Sequence, residues 1–274
     1  MSHQPHSPHP QAFYADPAVH SLRQGVRPAA SGIVLVAGWS WGKTDDCTIG
    51  PRYKDIAEAA TNLDPACYTY PPQHLHCTVA TLSSFNNEKS PFFNASDEDQ
   101  LIVLQAWGDA LDRAFRKARV LRPFDLTFSD LGWSSAAAYL LAEDPSDMFR
   151  ELRAAVRLAA EDSQVAEAEA KLTESLSHVQ GLVPLREALR VPDIIHSTIM
   201  RFSSEPLNPA RLASDLDDLG EKWRRMVCGE EEGRGVPVTI RVTSLSLVHE
   251  RHPYMHIGLG EGEARRFLLD NAAA

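Results

Sequence analysis

His76-Cys77-Thr78-Val79 and His196-Ser197-Thr198-Ile199 spell one four-residue pattern twice: histidine, any residue, threonine, aliphatic residue, 120 positions apart. Each copy sits in a strand-like run, His74 to Leu82 and Val191 to Phe202. Alternate side chains of a strand share a face. His76 and Thr78 therefore point one way, as do His196 and Thr198. Cys77, Val79, Ser197 and Ile199 turn to the other face, to pack under helices. Strict alternation also sends Thr81 and Arg201 away from the histidines, and Arg201 returns only if its strand bulges.

Working outward, Ile33-Val34-Leu35-Val36-Ala37 reads as a buried strand, followed by a short helical signal at Asp55 to Ala60. Ser96 with Asp97, Glu98 and Asp99 reads as a capped helix start, and Leu104, Trp107, Leu111 and Phe115 recur at helical spacing behind it. Asn208-Pro209 opens a second long helix, whose buried face is Leu212, Leu216, Leu219, Trp223 and Met226. Between them lie strands at Phe124-Leu126-Phe128 and Tyr139-Leu140-Leu141, and a helix carrying Met148, Leu152 and Val156. Residues 161–190 read as a connector or insertion with one amphipathic helix on Val165, Leu172, Leu176 and Val179. Val236 to Gly260 reads as a hairpin turning near Glu250 to Pro253. Recurrent hairpin-like pairs favour α+β with antiparallel sheets.

Residues 1–30, rich in Pro, His and Ser, read as a disordered tail, 31–260 as one two-lobed domain, and 261–274 as a C-terminal tail. The spacing of His3, His6 and His9 is read as a solvated tail rather than a metal trap. A formal net charge of −10 argues against coating long nucleic acid through many phosphate contacts. It leaves recognition of a single phosphate open. No spanning segment or signal peptide is legible, and Cys47, Cys67, Cys77 and Cys228 form no CxxC pair, so reduced thiols in a cytoplasmic setting are expected.

The chemistry suits the paired pattern. Opening a phosphodiester needs a base for the attacking oxygen and an acid for the leaving one, and histidine serves either near neutral pH. A threonine two residues along can hydrogen-bond a non-bridging phosphate oxygen. The pair of motifs resembles the 2H phosphoesterase superfamily, which includes LigT-type RNA 2′,3′-cyclic phosphodiesterases and RNA 3′-end trimming exonucleases. The resemblance covers about residues 31–260. It implies a bilobal α+β fold, two antiparallel sheets with outer helices around a central cleft, and cofactor-free chemistry. By the same resemblance His76 protonates the leaving ribose oxygen, His196 activates water, and Thr78 and Thr198 bind the substrate phosphate. The implied partner is a nucleotide or RNA 3′ end, with no membrane and no obligate protein partner.

Competing readings remain. A trimming exonuclease would use the ribose 2′-hydroxyl as nucleophile, and a binding module would keep the fold without turnover; possession of both acid and base argues against the latter. His74 and His76 have the His-x-His spacing of zinc sites, with His196 as a third ligand. That reading supplies no carboxylate and leaves both threonines unexplained, so no metal is expected there or at His249, His252 and His256. Cys77 reads as a small buried residue, and Trp39, Trp41 and Tyr254 as packing residues that could otherwise stack a nucleobase.

Overall fold

A computed structural model describes residues 12–43, 49–228 and 237–270. His3, His6, His9, Cys47, Val236 and residues 271–274 lie outside them, as does the Cys228 side chain. In chain order the elements are α1 (Pro17–Arg23), β1 (Gly32–Ala37), α2 (Gly50–Thr61), β2 (Cys67–Thr69), β3 (Cys77–Ser83), α3 (Pro91–Asn94), α4 (Asp97–Ala118), β4 (Phe124–Trp133), β5 (Ala137–Glu143), α5 (Met148–Ala160), α6 (Ser163–Ser175), α7 (Leu185–Ala188), β6 (His196–Phe202), α8 (Pro209–Cys228), β7 (Val238–Val242), β8 (Ser244–Glu250) and β9 (Glu263–Leu268).

The strands form two antiparallel sheets, β3-β1-β8-β9 and β2-β6-β5-β4-β7. Each carries one of the two motifs: His76 immediately precedes β3 in the first, and β6 begins at His196 in the second. α4 and α5 pack against β9 and β3 of the four-stranded sheet, while α8 and α2 pack against β4 and β2 of the other. The chain therefore adopts the two-lobed α+β architecture with antiparallel sheets and outer helices.

Local chemistry explains the elements. The Ser96 hydroxyl accepts from the Asp99 N–H at 3.2 Å, Asp97, Glu98 and Asp99 complement the positive end of α4, and Arg116 and Lys117 its negative end. Leu104, Trp107, Leu111 and Phe115 are buried along its inner face. Asn208 accepts from the Arg211 N–H at 3.0 Å and so caps α8. β1 is apolar throughout because it is central and covered on both faces. Ile33, Leu35 and Ala37 join the main core, and Val34 and Val36 pack with Val248, Met255 and Ile257 on the inner side.

Four expectations are corrected. Residues 12–30 are not all tail: Asp16 caps α1, accepting from Ala18 N–H at 2.9 Å, and Phe13, Val19 and Leu22 are buried. The low hydrophobicity of residues 1–30 as a whole hid three well-placed apolar side chains. Residues 261–274 are not simply a tail either, because β9 pairs with β8 along Ser244 to Val248. The expected hairpin does not form: its first arm is two strands, β7 pairing with β4 in the five-stranded sheet and β8 with β1 and β9 in the other, and residues 254–260 form no strand. Finally, residues 191–195 precede the strand rather than belong to it, and His74 closes a 3-10 turn (Pro72–His74) outside β3.

Within 161–190, α6 packs on α4 with Val165 and Leu172 buried, and Arg190 then exchanges two 2.8 Å backbone hydrogen bonds with Thr81.

Candidate active site

Both motif strands carry a bulge at the same point. Opposite β1, Thr78 pairs with Val36 and Ala80 with Leu35, so Val79 has no partner. Opposite β5, Thr198 pairs with Tyr139 and Met200 with Ala138, so Ile199 has none. One extra residue reverses the alternation beyond it. Val79 and Ala80 are consecutively buried, as are Ile199 and Met200, and the following polar residue swings to the site face in each strand. Thr81 and Arg201 thus join the histidines, contrary to strict alternation.

The carbonyls freed by the bulges find other donors, as buried backbone groups must. Arg153 of α5 donates through Nε to Val79 O at 3.3 Å and through Nη2 to Ile194 O at 2.8 Å. The Tyr70 N–H donates to Ile199 O at 2.8 Å. Arg153 is itself buried, with its guanidinium 5.1 Å from the Phe149 ring centroid. One side chain therefore braces the β3 bulge and the approach to His196 together.

His76, Thr78, His196 and Thr198 all line one cavity of about 230 Å³ between the sheets, and Thr81, Arg201, Tyr70, Glu250 and Tyr254 are among the other residues of its wall. The His76 Nδ1 bonds the His74 carbonyl at 2.8 Å, which makes Nδ1 the donor and leaves Nε2 the free ring nitrogen. His196 packs edge-on against Tyr139 with centroids 5.3 Å apart, and the Ile194 backbone two residues before it lies close enough to favour its protonated form.

Burial pushes the His76 imidazole down to about 4; neighbouring His196 and His74 add to this and the bond to the His74 carbonyl opposes it. Burial also lowers His196, with the Ile194 backbone opposing and Arg153 and Arg201 adding. Both rings are thus neutral at pH 7, and an anion bound between them would favour the protonated form of one. Glu250 moves the other way: burial raises its carboxyl to about 7, against the Met255 and Tyr254 backbone N–H groups and Arg201.

The remaining candidates fall elsewhere. Trp41 is buried, donates to the Ser197 hydroxyl at 3.0 Å and stacks on Phe128, so it supports β6 from behind. Trp39 lines a separate cavity of about 400 Å³ with Arg241 and Arg266. Cys77 and Cys67 are buried free thiols, each pushed up to about 12 by burial. His74 stacks on His256 at 4.4 Å instead of sharing a strand face with His76. Among the described residues no three His, Cys, Asp or Glu side chains group as metal ligands.

Tyr254 and Met255 both have positive φ, 56° and 57°, a region that costs non-glycine residues on the order of 1–3 kcal/mol each. Glu250 accepts the Met255 N–H at 2.9 Å and so holds this turn over the cavity.

No protein-family model matches the chain, and no curated protein matches its sequence. Similar solved structures include TT0787 of Thermus thermophilus, at 18% identity and TM-score 0.40 over 87% of this chain and 97% of that one. E. coli LigT complexed with ATP is 18% identical at TM-score 0.38 over 80% and 87% of the two chains. The conserved protein of unknown function ATU0111 from Agrobacterium tumefaciens is 12% identical at TM-score 0.46 over 92% of each. No helix among the described residues is long and apolar enough to cross a membrane.

Proposed function

We propose that this protein is a phosphodiesterase of the 2H type that opens a 2′,3′-cyclic phosphate on a nucleotide or RNA end. The observation that carries the reading is the meeting of His76, Thr78, His196 and Thr198 with the Arg201 cation around one half-open cavity. A single phosphate with part of a ribose is the scale of ligand that fits a cavity of about 230 Å³.

In this mechanism the Thr78 and Thr198 hydroxyls and the Arg201 guanidinium donate to the non-bridging phosphate oxygens. His196 removes a proton from water as its oxygen bonds to phosphorus. The P–O3′ bond breaks, and His76 gives its proton to the departing O3′. The product is a 2′-phosphate monoester with a free 3′-hydroxyl. The bound phosphate supplies the negative charge that offsets the depressed basicity of the acid. The Thr and Arg donors act where charge builds in the transition state.

The test is to incubate the full chain with 2′,3′-cyclic nucleotides, and separately with a short 3′-hydroxyl RNA, each with and without chelator. The reading expects a 2′-phosphate from the cyclic substrate in both conditions. Shortening of the RNA with release of cyclic ends, or loss of activity in chelator and its return with zinc, would overturn it.

A further inference from the structure

The Arg201 guanidinium is held from several sides, and one of its supports begins far away in the chain. Its Nε donates to the Tyr70 hydroxyl at 3.0 Å, and its face lies 4.1 Å from the Tyr254 ring centroid. Tyr254 sits in the positive-φ turn described above, with its ring edge-on to Phe85 at 4.9 Å. Its hydroxyl donates to Oδ2 of Asp16, a residue 4% exposed that does not line the cavity. The other Asp16 oxygen, Oδ1, caps α1, and the Asp16 N–H donates at 2.9 Å to the carbonyl of Phe202, next to Arg201 on β6.

The segment that presents Asp16 is firmly docked. Phe13 packs between Trp133 and Phe202, with centroids at 5.8 and 4.8 Å. The Tyr14 N–H donates to Ser135 O at 2.7 Å, and the far end of α1 is tied by Arg23 to the Ser203 hydroxyl at 3.0 Å. Asp16 therefore joins the start of α1 and the strained turn over the cavity through its carboxylate, and the backbone of β6 through its N–H. A strained conformation persists where surrounding contacts over-determine it, and such positions gather at functional sites.

We propose that residues 12–24 form a strap in which Asp16 acts as a positioning residue, fixing Tyr254 against Arg201 so that the guanidinium faces the substrate phosphate. The idea deepens the proposed function and rests on it for the identity of the anion. The strap is what completes the β6 half-site, which has a cation where the β3 half-site has only a hydroxyl. Asp16 touches no substrate and works through Tyr254.

Two substitutions separate this role from helix capping. Asp16→Ser keeps an N-cap but is too short to reach Tyr254, while Asp16→Asn keeps both cap and length. Tyr254→Phe keeps the ring and removes the hydroxyl. Adenosine 2′-monophosphate binding by calorimetry, kcat and KM on the cyclic nucleotide, and the Arg201 Nε–H signal in ¹⁵N-edited NMR are the readouts. The wild-type Nε–H should be slowly exchanging, and Asp16→Ser and Tyr254→Phe should each speed its exchange and weaken nucleotide binding roughly five- to tenfold, the scale of one lost hydrogen bond. Asp16→Asn should stay within roughly twofold of wild type, and the double variant Asp16→Ser/Tyr254→Phe should be no worse than either single.

Unchanged Nε–H exchange and binding in Asp16→Ser, with only a lower Tm, would overturn the strap. A double variant with the product of both losses would overturn the route through Tyr254. Wild-type protein that neither binds nor turns over nucleotide would overturn the proposed function instead, and the Nε–H exchange would still decide the strap.

Discussion

At the fifth position after the histidine, β3 places Thr81 and β6 places Arg201. Up to that point the two half-sites share one plan: a histidine, a threonine two residues on, then a bulge. Beyond it they diverge. The β3 half offers a third hydroxyl and draws its support from Arg153. The β6 half offers a cation, held by Tyr70 and Tyr254. A repeated framework can thus position the reacting groups symmetrically while one strand alone carries the charge that attracts an anion. The overall charge of −10 hides this, because it sums the whole chain and says nothing of the arginine that lines this one cavity.

The largest expected effect treats the halves as equal. His76→Ala and His196→Ala should each cost on the order of 10² to 10⁴ in kcat, and the double change less than the product, because acid and base act as a unit. Steady-state rates on a cyclic nucleotide check this. A histidine whose loss leaves kcat within threefold would break the equivalence.

A second effect is read through pH and should appear in both halves. The His76 pKa is lowered on folding, from 6.5 to about 4, so its contribution to stability is complete above pH 6.5 and is lost as pH falls towards 4. Glu250, raised to about 7, runs the other way between about 4.5 and 7. In denaturant titrations across this window, His76→Gln should remove up to about 3 kcal/mol of the pH-dependent change, at about 1.4 kcal/mol per pKa unit. His196→Gln should flatten the curve in the same direction. An unaltered slope in His76→Gln would show that the ring is not held neutral by burial.

A third comparison sets Arg201→Met against Thr81→Val. Losing a charge-assisted contact costs about 1.5–3 kcal/mol and a neutral hydroxyl about 0.5–1.5. On kcat/KM this is roughly ten- to 150-fold against roughly two- to twelvefold. Equal losses would erase the division of labour between the strands.

The smallest contrast is between Thr78→Val and Thr198→Val, which keep β-branching and strand propensity. Each should lower kcat by about 1–2 kcal/mol of transition-state stabilisation, and the two should agree within threefold if the symmetry reaches the hydroxyls. Weaker nucleotide affinity at unchanged kcat would assign them to binding alone.

Much of the molecule was legible along the chain. The two motifs, the central apolar strand, the caps of α4 and α8 and their buried faces follow from local periodicity and capping chemistry, which depend on neighbours within a few residues. Those signals also pointed to an antiparallel α+β layout and to the four motif residues that now line one cavity. The bulges left a local trace as well: Val79-Ala80 and Ile199-Met200 are apolar pairs that break alternation at matching positions before Thr81 and Arg201.

What tertiary structure alone decided is the phase and partnership of those elements. Whether an apolar pair is a bulge depends on the opposing strand, and only the pairings with β1 and β5 leave Val79 and Ile199 over. Whether β7 and β8 run on as one arm depends on the strand that each meets, and pairing with β4 and with β1 put them in different sheets. Asp16 and Tyr254, 238 positions apart, meet through a turn whose positive φ no local propensity favours. Sequence determines what each segment can bury; the packing of distant segments determines which polar groups are left facing the cavity.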